Sequence, residues 1–238
     1  MATHTATLIS LGCCLAVNGE QQKNLKIIIT CILAAFIANS ITAQDSCSTF
    51  YPFENGKIIV NNQHNLPKVN TEDWRNIIGI IPQEITIFSG NVVSNILLGK
   101  EDTLKNIQKF CEKYGFTEFV NSLPQGFATI LGEEGVNLSG GQKQIIALAR
   151  VLYKKPQLLI LDEATAAMDR KTEKFSIELV SKLKKEMAVL FISHRLETLK
   201  KYADRIFVLE NGETIVQGNH QQLLETSNFY SDYWKELV

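Results

Sequence analysis

From Phe50 onward, apolar positions alternate between short unbroken runs and runs spaced three and four apart, the rhythm of an α/β domain. Gln157-Leu-Leu-Ile-Leu-Asp162 and Ala188-Val-Leu-Phe-Ile-Ser193 predict strands buried on both faces of a parallel sheet. Between them, from about Arg170 to Met187, Phe175, Ile177, Val180 and Leu183 fall on one helical face and predict the crossover helix. A strand-helix-strand unit is parallel and its crossover right-handed, so Asp162, Glu163 and His194 are expected at one edge of the sheet. In open α/β sheets that is the edge where ligands bind.

Other elements follow from punctuation residues. Arg205-Ile-Phe-Val-Leu209 and Glu213-Thr-Ile-Val-Gln217 flank Asn211-Gly212, a strong hairpin signal. A final amphipathic stretch, about Gln221 to Leu237, predicts one helix. From Thr103 to Gly115, Leu104, Ile107, Cys111 and Tyr114 share a face and Gly115 is a stop signal, which predicts a helix inside a helical insertion spanning about 90–155.

Composition adds a seam. The 238 residues hold 49 charged side chains, yet residues 1–49 contain only four of them: Glu20, Lys23, Lys26 and Asp45. Four of the five cysteines, Cys13, Cys14, Cys31 and Cys47, fall in the same stretch. The net charge of -1 argues against phosphate-driven nucleic-acid binding, so no nucleic acid is expected as a partner. The longest apolar run, Ile27 to Ala38, is shorter than the roughly 20 residues a spanning helix needs. Preceded by Lys23 and Lys26 and followed by Ser40, Thr42 and Ala43, it has the look of a signal sequence displaced from the start of the chain; a buried helix or strand is the other reading. Residues 1–49 are therefore set apart as atypical, signal-like or frameshifted, from a domain spanning 50–238.

The chemistry-bearing residues cluster by order. Leu138-Ser139-Gly140-Gly141-Gln142 precedes a helical run with Ile145, Leu148, Ala149 and Leu152 on one face. Ser139 and Gln142 have the spacing of a capping box. Two glycines at a helix start also expose backbone N–H groups to an anion such as phosphate. Asp162 and Glu163 end a buried strand, where one carboxylate can hold magnesium and the next can orient or deprotonate a water. His194, after the neighbouring strand, could contact the same terminal phosphate.

This order and spacing resemble the ATP-binding-cassette (ABC) ATPases. LSGGQ at 138–142 is similar to the family signature, LLILDE at 158–163 to the Walker B strand, and Ala166-Ala-Met-Asp169 to the D-loop. Ile81-Pro-Gln-Glu84 resembles the Q-loop centred on Gln83, and Ile192-Ser-His-Arg195 the switch-histidine loop. Phe88-Ser-Gly90 followed by Asn95-Ile, and Gly135-Val-Asn-Leu-Ser-Gly-Gly, look like the exporter branch.

The resemblance implies a P-loop-NTPase-like parallel sheet core with a helical subdomain, ATP and Mg2+ as cofactors, and transport coupled to ATP hydrolysis at the cytoplasmic face of the cell membrane. It implies Glu163 as the residue that polarises water, and Asp162 and Gln83 toward magnesium. His194, Ser139, Gly140 and Gly141 would address the γ-phosphate, and Asp169 would link the two sites of a head-to-tail dimer. Leu138 and Gln142 complete the signature, and a transmembrane transporter domain is the further partner. A cassette ATPase of DNA repair or translation, and a non-catalytic remnant, are the alternatives.

One family motif is missing. A P-loop, GxxGxGK[ST], is expected near 33–42, where the sequence is Leu33-Ala-Ala-Phe-Ile-Ala-Asn-Ser-Ile-Thr42. It has no lysine, and no glycine occurs between Gly19 and Gly56. Losing a charge-assisted lysine contact and several oriented amides removes more than about 4 kcal/mol, roughly a thousandfold in affinity. The chain alone is expected to bind ATP weakly, and the N-terminal part of the fold to be incomplete.

Overall fold

The structure, a computed structural model, describes residues 13–18, 59–60, 64–65, 68–133, 135–162, 169–193, 196–210 and 213–237. The chain divides into two units, Met1–Gly19 with Ile78–Val238, and Glu20–Ile77. The composition seam at Phe50 falls inside the second unit, and the expected P-loop position, the signal-like run, Glu163 and His194 lie outside the described residues.

In the smaller unit, β2 (Ile59–Val60) pairs antiparallel with β3 (His64–Asn65), and α1 spans Thr71–Ile77. Asn70 starts α1 by accepting the Glu72 and Asp73 N–H groups at 2.8 and 3.2 Å. That satisfies donors a helix start otherwise leaves unpaired.

The larger unit is built on a six-stranded sheet. Its strands are β1 (Cys13–Asn18), β4 (Ile78–Ile81), β7 (Leu158–Asp162), β8 (Ala188–Ser193), β9 (Arg205–Glu210) and β10 (Glu213–Gly218), in the order β10-β9-β1-β8-β7-β4. β4, β7 and β8 are parallel, with Ile81 opposite Leu161 and Asp162 opposite Ile192. The strand β1 runs antiparallel to both β8 and β9, so those two point the same way with a reversed strand between them. Leu159, Ile160, Val189, Leu190, Ile206 and Phe207 are all buried. That is the two-sided burial expected of unbroken apolar strands covered by helices on both faces. β9 and β10 form the antiparallel pair expected around 211–212, residues that themselves lie outside the described set.

Helices fill the remainder. α2 (Val92–Leu97) follows a short antiparallel pair formed by β5 (Gly90–Asn91) and β6 (Ile130–Leu131). α3 (Leu104–Tyr114) starts at Thr103, whose side chain accepts the Asn106 N–H, and stops at Gly115 in the left-handed region at φ 80°. Both ends agree with the sequence reading. α4 spans Thr117–Asn121, α5 Gly140–Tyr153, α6 Arg170–Leu183 and α7 Leu196–Tyr202.

The expected single C-terminal helix is instead two, α8 (His220–Leu224) and α9 (Phe229–Leu237). Asn228 makes the break. Its Nδ2 donates to Leu223 O and Thr226 O, at 2.8 and 2.9 Å, while its Oδ1 accepts the Ser231 N–H at 3.0 Å. A side chain that closes one helix and opens the next overrides amphipathic periodicity.

Candidate nucleotide site

The signature helix α5 begins as a capping box. Ser139 Oγ accepts the Gln142 N–H at 3.3 Å, and Gln142 Oε1 accepts the Ser139 N–H at 2.9 Å. Lys143 N–H already donates to Ser139 O at 2.9 Å. Among the described residues, the Gly140 and Gly141 N–H groups are the donors of this helix start that remain for an anion. Ser139 and Gly140 are exposed, Gln142 is half-buried, and Leu138 and Gly141 are buried.

Gly141 is closely packed. A Cβ at this position would lie 3.2 Å from Asp169 Oδ2 and 3.2 Å from both Thr172 Cγ2 and Thr172 Oγ1. The first turns of α5 and α6 therefore meet, which concentrates the positive ends of two helix dipoles. Asp169 caps α6, accepting the Lys171 and Thr172 N–H groups at 2.9 and 3.0 Å and the Thr172 hydroxyl at 2.8 Å. The Thr172 N–H, then its hydroxyl, hold the exposed Asp169 carboxyl below the usual range. It is ionised at neutral pH.

Asp162 ends β7 half-buried, and Gln83 lies exposed two residues past the end of β4. Because Ile81 pairs with Leu161, the two side chains leave neighbouring parallel strands at one sheet edge. Ser193 ends β8 at the same edge. An amide and a carboxylate oxygen so placed are a donor set suited to a hard cation. Glu163 and His194 lie one residue beyond the described ends of these strands.

Sequence reasoning missed the side chains that hold these parts in place. Thr172 is one, through Asp169. Arg150 is another: within the otherwise apolar run Ile145–Tyr153 of α5 it donates to Asn95 O at 2.9 Å, Thr86 O at 3.1 Å and Asn95 Oδ1 at 3.2 Å. A lone arginine inside that apolar run was the available signal.

Residues 37–166, more than half of the chain, match the family described as ABC transporter. An ATP-dependent lipid A-core flippase of Idiomarina loihiensis is 39% identical over 191 residues, covering 79% of this chain and 32% of that protein. The ABC transporter BEA3 of Gibberella fujikuroi is 38% identical over 183 residues, covering 76% of this chain and 14% of that protein. Among solved structures, a bacterial Atm1-family ABC exporter with ATP bound superposes with a TM-score of 0.71 at 32% identity, covering 79% of this chain and 33% of that one. The chain spans about a third or less of the length of each of these relatives. With LSGGQ at the start of α5, with Gln83 after β4 and Asp162 at the end of the parallel strand β7, and with this match, the chain belongs to the ABC transporter family, on its exporter branch.

Proposed function

We propose that this chain is the ATP-binding domain of an ABC exporter that presents its signature to nucleotide held by a second, non-identical cassette. The observation that carries the reading is the meeting of α5 and α6 at Gly141 and Asp169, which brings the first turn of the helix that carries the signature beside the D-loop aspartate. Ser139, Gly140 and Gly141 would contact the γ-phosphate of ATP across the interface, and Asp169 would touch the opposite site. Within the chain, Asp162 and Gln83 would hold Mg2+, which supplies charge neutralisation of the phosphates when bound. Glu163 would orient the attacking water and His194 would contact the terminal phosphate. The transmembrane part of the exporter completes the assembly at the cytoplasmic face of the membrane.

The partner is argued to differ from this chain because residues 33–42 offer no lysine or glycine for a phosphate cradle. A homodimer would then lack both cradles, and a mixed pair would keep one.

Titration calorimetry of the purified chain with Mg-ATP tests the reading, with no saturation expected at micromolar nucleotide. Micromolar affinity, or ordinary turnover by the chain alone, overturns it. In membranes holding the assembled exporter, Ser139→Arg is expected to abolish ATP turnover. Unchanged turnover would remove the signature from the mechanism.

A further inference from the structure

The loop that carries Gln83 is held from both sides by two consecutive residues of α5. On the side of β4, Gly79 lies directly against Val151: a Cβ at Gly79 would fall far inside contact with Val151 Cγ1 and 3.1 Å from Pro156 Cγ. On the far side, Arg150 reaches the backbone that follows the loop. Its Nη1 donates to Thr86 O at 3.1 Å, its Nε to Asn95 O at 2.9 Å and its Nη2 to Asn95 Oδ1 at 3.2 Å. The guanidinium carbon sits 5.2 Å from the centre of the Phe88 ring.

Asn95 completes the clamp. It is 1% exposed, and its Oδ1 accepts the Phe88 N–H at 3.0 Å while its Nδ2 donates to Phe88 O at 2.8 Å. Thr86 and Phe88 are thus fixed by one arginine and one asparagine, whose own positions are coupled at Asn95 Oδ1. Among the described residues, the partners of this partly buried cation are carbonyl and amide oxygens and a ring, with no carboxylate. Three separate donor positions in a planar fork are used, which an ammonium cannot reproduce.

We infer that Arg150 is a positioning residue for Gln83. From the last turn of the helix that begins at Ser139, it sets the Gln83 loop against the signature, so that both are carried by one rigid element. The inference rests on the reading that Gln83 and Ser139 face nucleotide, and it goes beyond it by assigning the residue that keeps them in register. α5 is continuous from Gly140 to Tyr153, so a displacement at its start reaches Thr86 without a hinge in the helix.

Hydrogen exchange of the full chain, read by mass spectrometry on peptides covering 82–91, tests the clamp. Arg150→Lys is expected to speed exchange there about tenfold or more, the effect of losing a charge-assisted bond, while β7, β8 and residues 140–149 stay protected. In Arg150→Ala, added ethylguanidinium restores slow exchange at 82–91 and ethylammonium does not. In membranes with the assembled exporter, Arg150→Lys lowers kcat about tenfold or more, with KM for ATP within about twofold. Unchanged exchange at 82–91, faster exchange spread over the whole chain, or equal rescue by the ammonium overturns the inference. Absence of ATP turnover in the unsubstituted assembly overturns the proposed function, and the exchange and rescue results still decide the clamp.

Discussion

Gly141 at the start of α5 lies against Asp169 at the start of α6, close enough that a single added methyl would sit 3.2 Å from the aspartate Oδ2. Two residues that the sequence reading assigned to different motifs are one packed junction. The junction cannot yield easily, because Asp169 and Thr172 are tied to each other by two hydrogen bonds of 3.0 and 2.8 Å.

Gly141→Ala is therefore expected to destabilise the domain by about 1 kcal/mol. Overpacking costs about 1–3 kcal/mol and outweighs the gain of up to about 1 kcal/mol that alanine brings to a helix. The urea midpoint should fall at unchanged slope. A rise in midpoint would mean that α5 and α6 are not packed at this point.

Asp169 also predicts a dependence on acid. Its carboxyl is held below the ordinary value of 3.8, by the Thr172 N–H first and its hydroxyl second. A depressed folded pKa gives stability that is present above the unfolded value and lost as pH falls through the folded one. Melting temperatures of the wild type and Asp169→Asn, followed from neutral pH to below 3.8, should converge at the acid end. A gap that stays constant with pH would show that ionisation of this carboxyl is not what caps α6.

Gly79→Ala should be more damaging than Gly141→Ala, because its methyl would collide with Val151 Cγ1, itself on a buried helix face. A cost of about 3 kcal/mol is expected from overpacking. Adding Val151→Ala should recover at least about 1 kcal/mol of it, a coupling measurable by a double-mutant cycle in denaturant. Strict additivity would place the two side chains apart.

Cys111 is buried on α3, and burial, with the charge of Glu112 adding to it, pushes the thiol up to about 11 from 9.0. Native protein at mildly alkaline pH should resist alkylation at this position, and peptide mapping should find it labelled only after unfolding. A raised pKa also means that the wild type loses stability as pH climbs from 9.0 toward 11, a loss absent in Cys111→Ala. Rapid labelling of the folded chain at Cys111 would contradict its placement.

The parts of this fold legible in the sequence are those in which local pattern and global burial agree. β7 and β8 are unbroken apolar runs because both sheet faces are covered, and Ser139, Thr103 and Gly115 mark helix ends through local hydrogen bonds or local φ. Asn228 was read as part of a helix because apolar spacing continues past it, whereas its side chain closes α8 and opens α9. The place of β1 was not legible, since Cys13–Asn18 is short and uncharged and its neighbours β8 and β9 are far away in sequence. Neither was the Arg150 clamp, which depends on Thr86 and Asn95 meeting α5 in space. Gln83 entered only through the resemblance of Ile81-Pro-Gln-Glu84 to a family motif; the parallel register of β4 and β7, which brings it to the edge of Asp162, had no signal of its own in the sequence.

The position of β1 decides what holds the sheet together. Cys14 pairs with Ser193 where β8 ends, and the same residue pairs with Val208 of β9. Among the described residues, β8 and β9 are joined through β1 and not to each other. Loss of Cys13–Asn18 from the sheet would therefore part it into β4-β7-β8, which carries Asp162, and the β9-β10 pair.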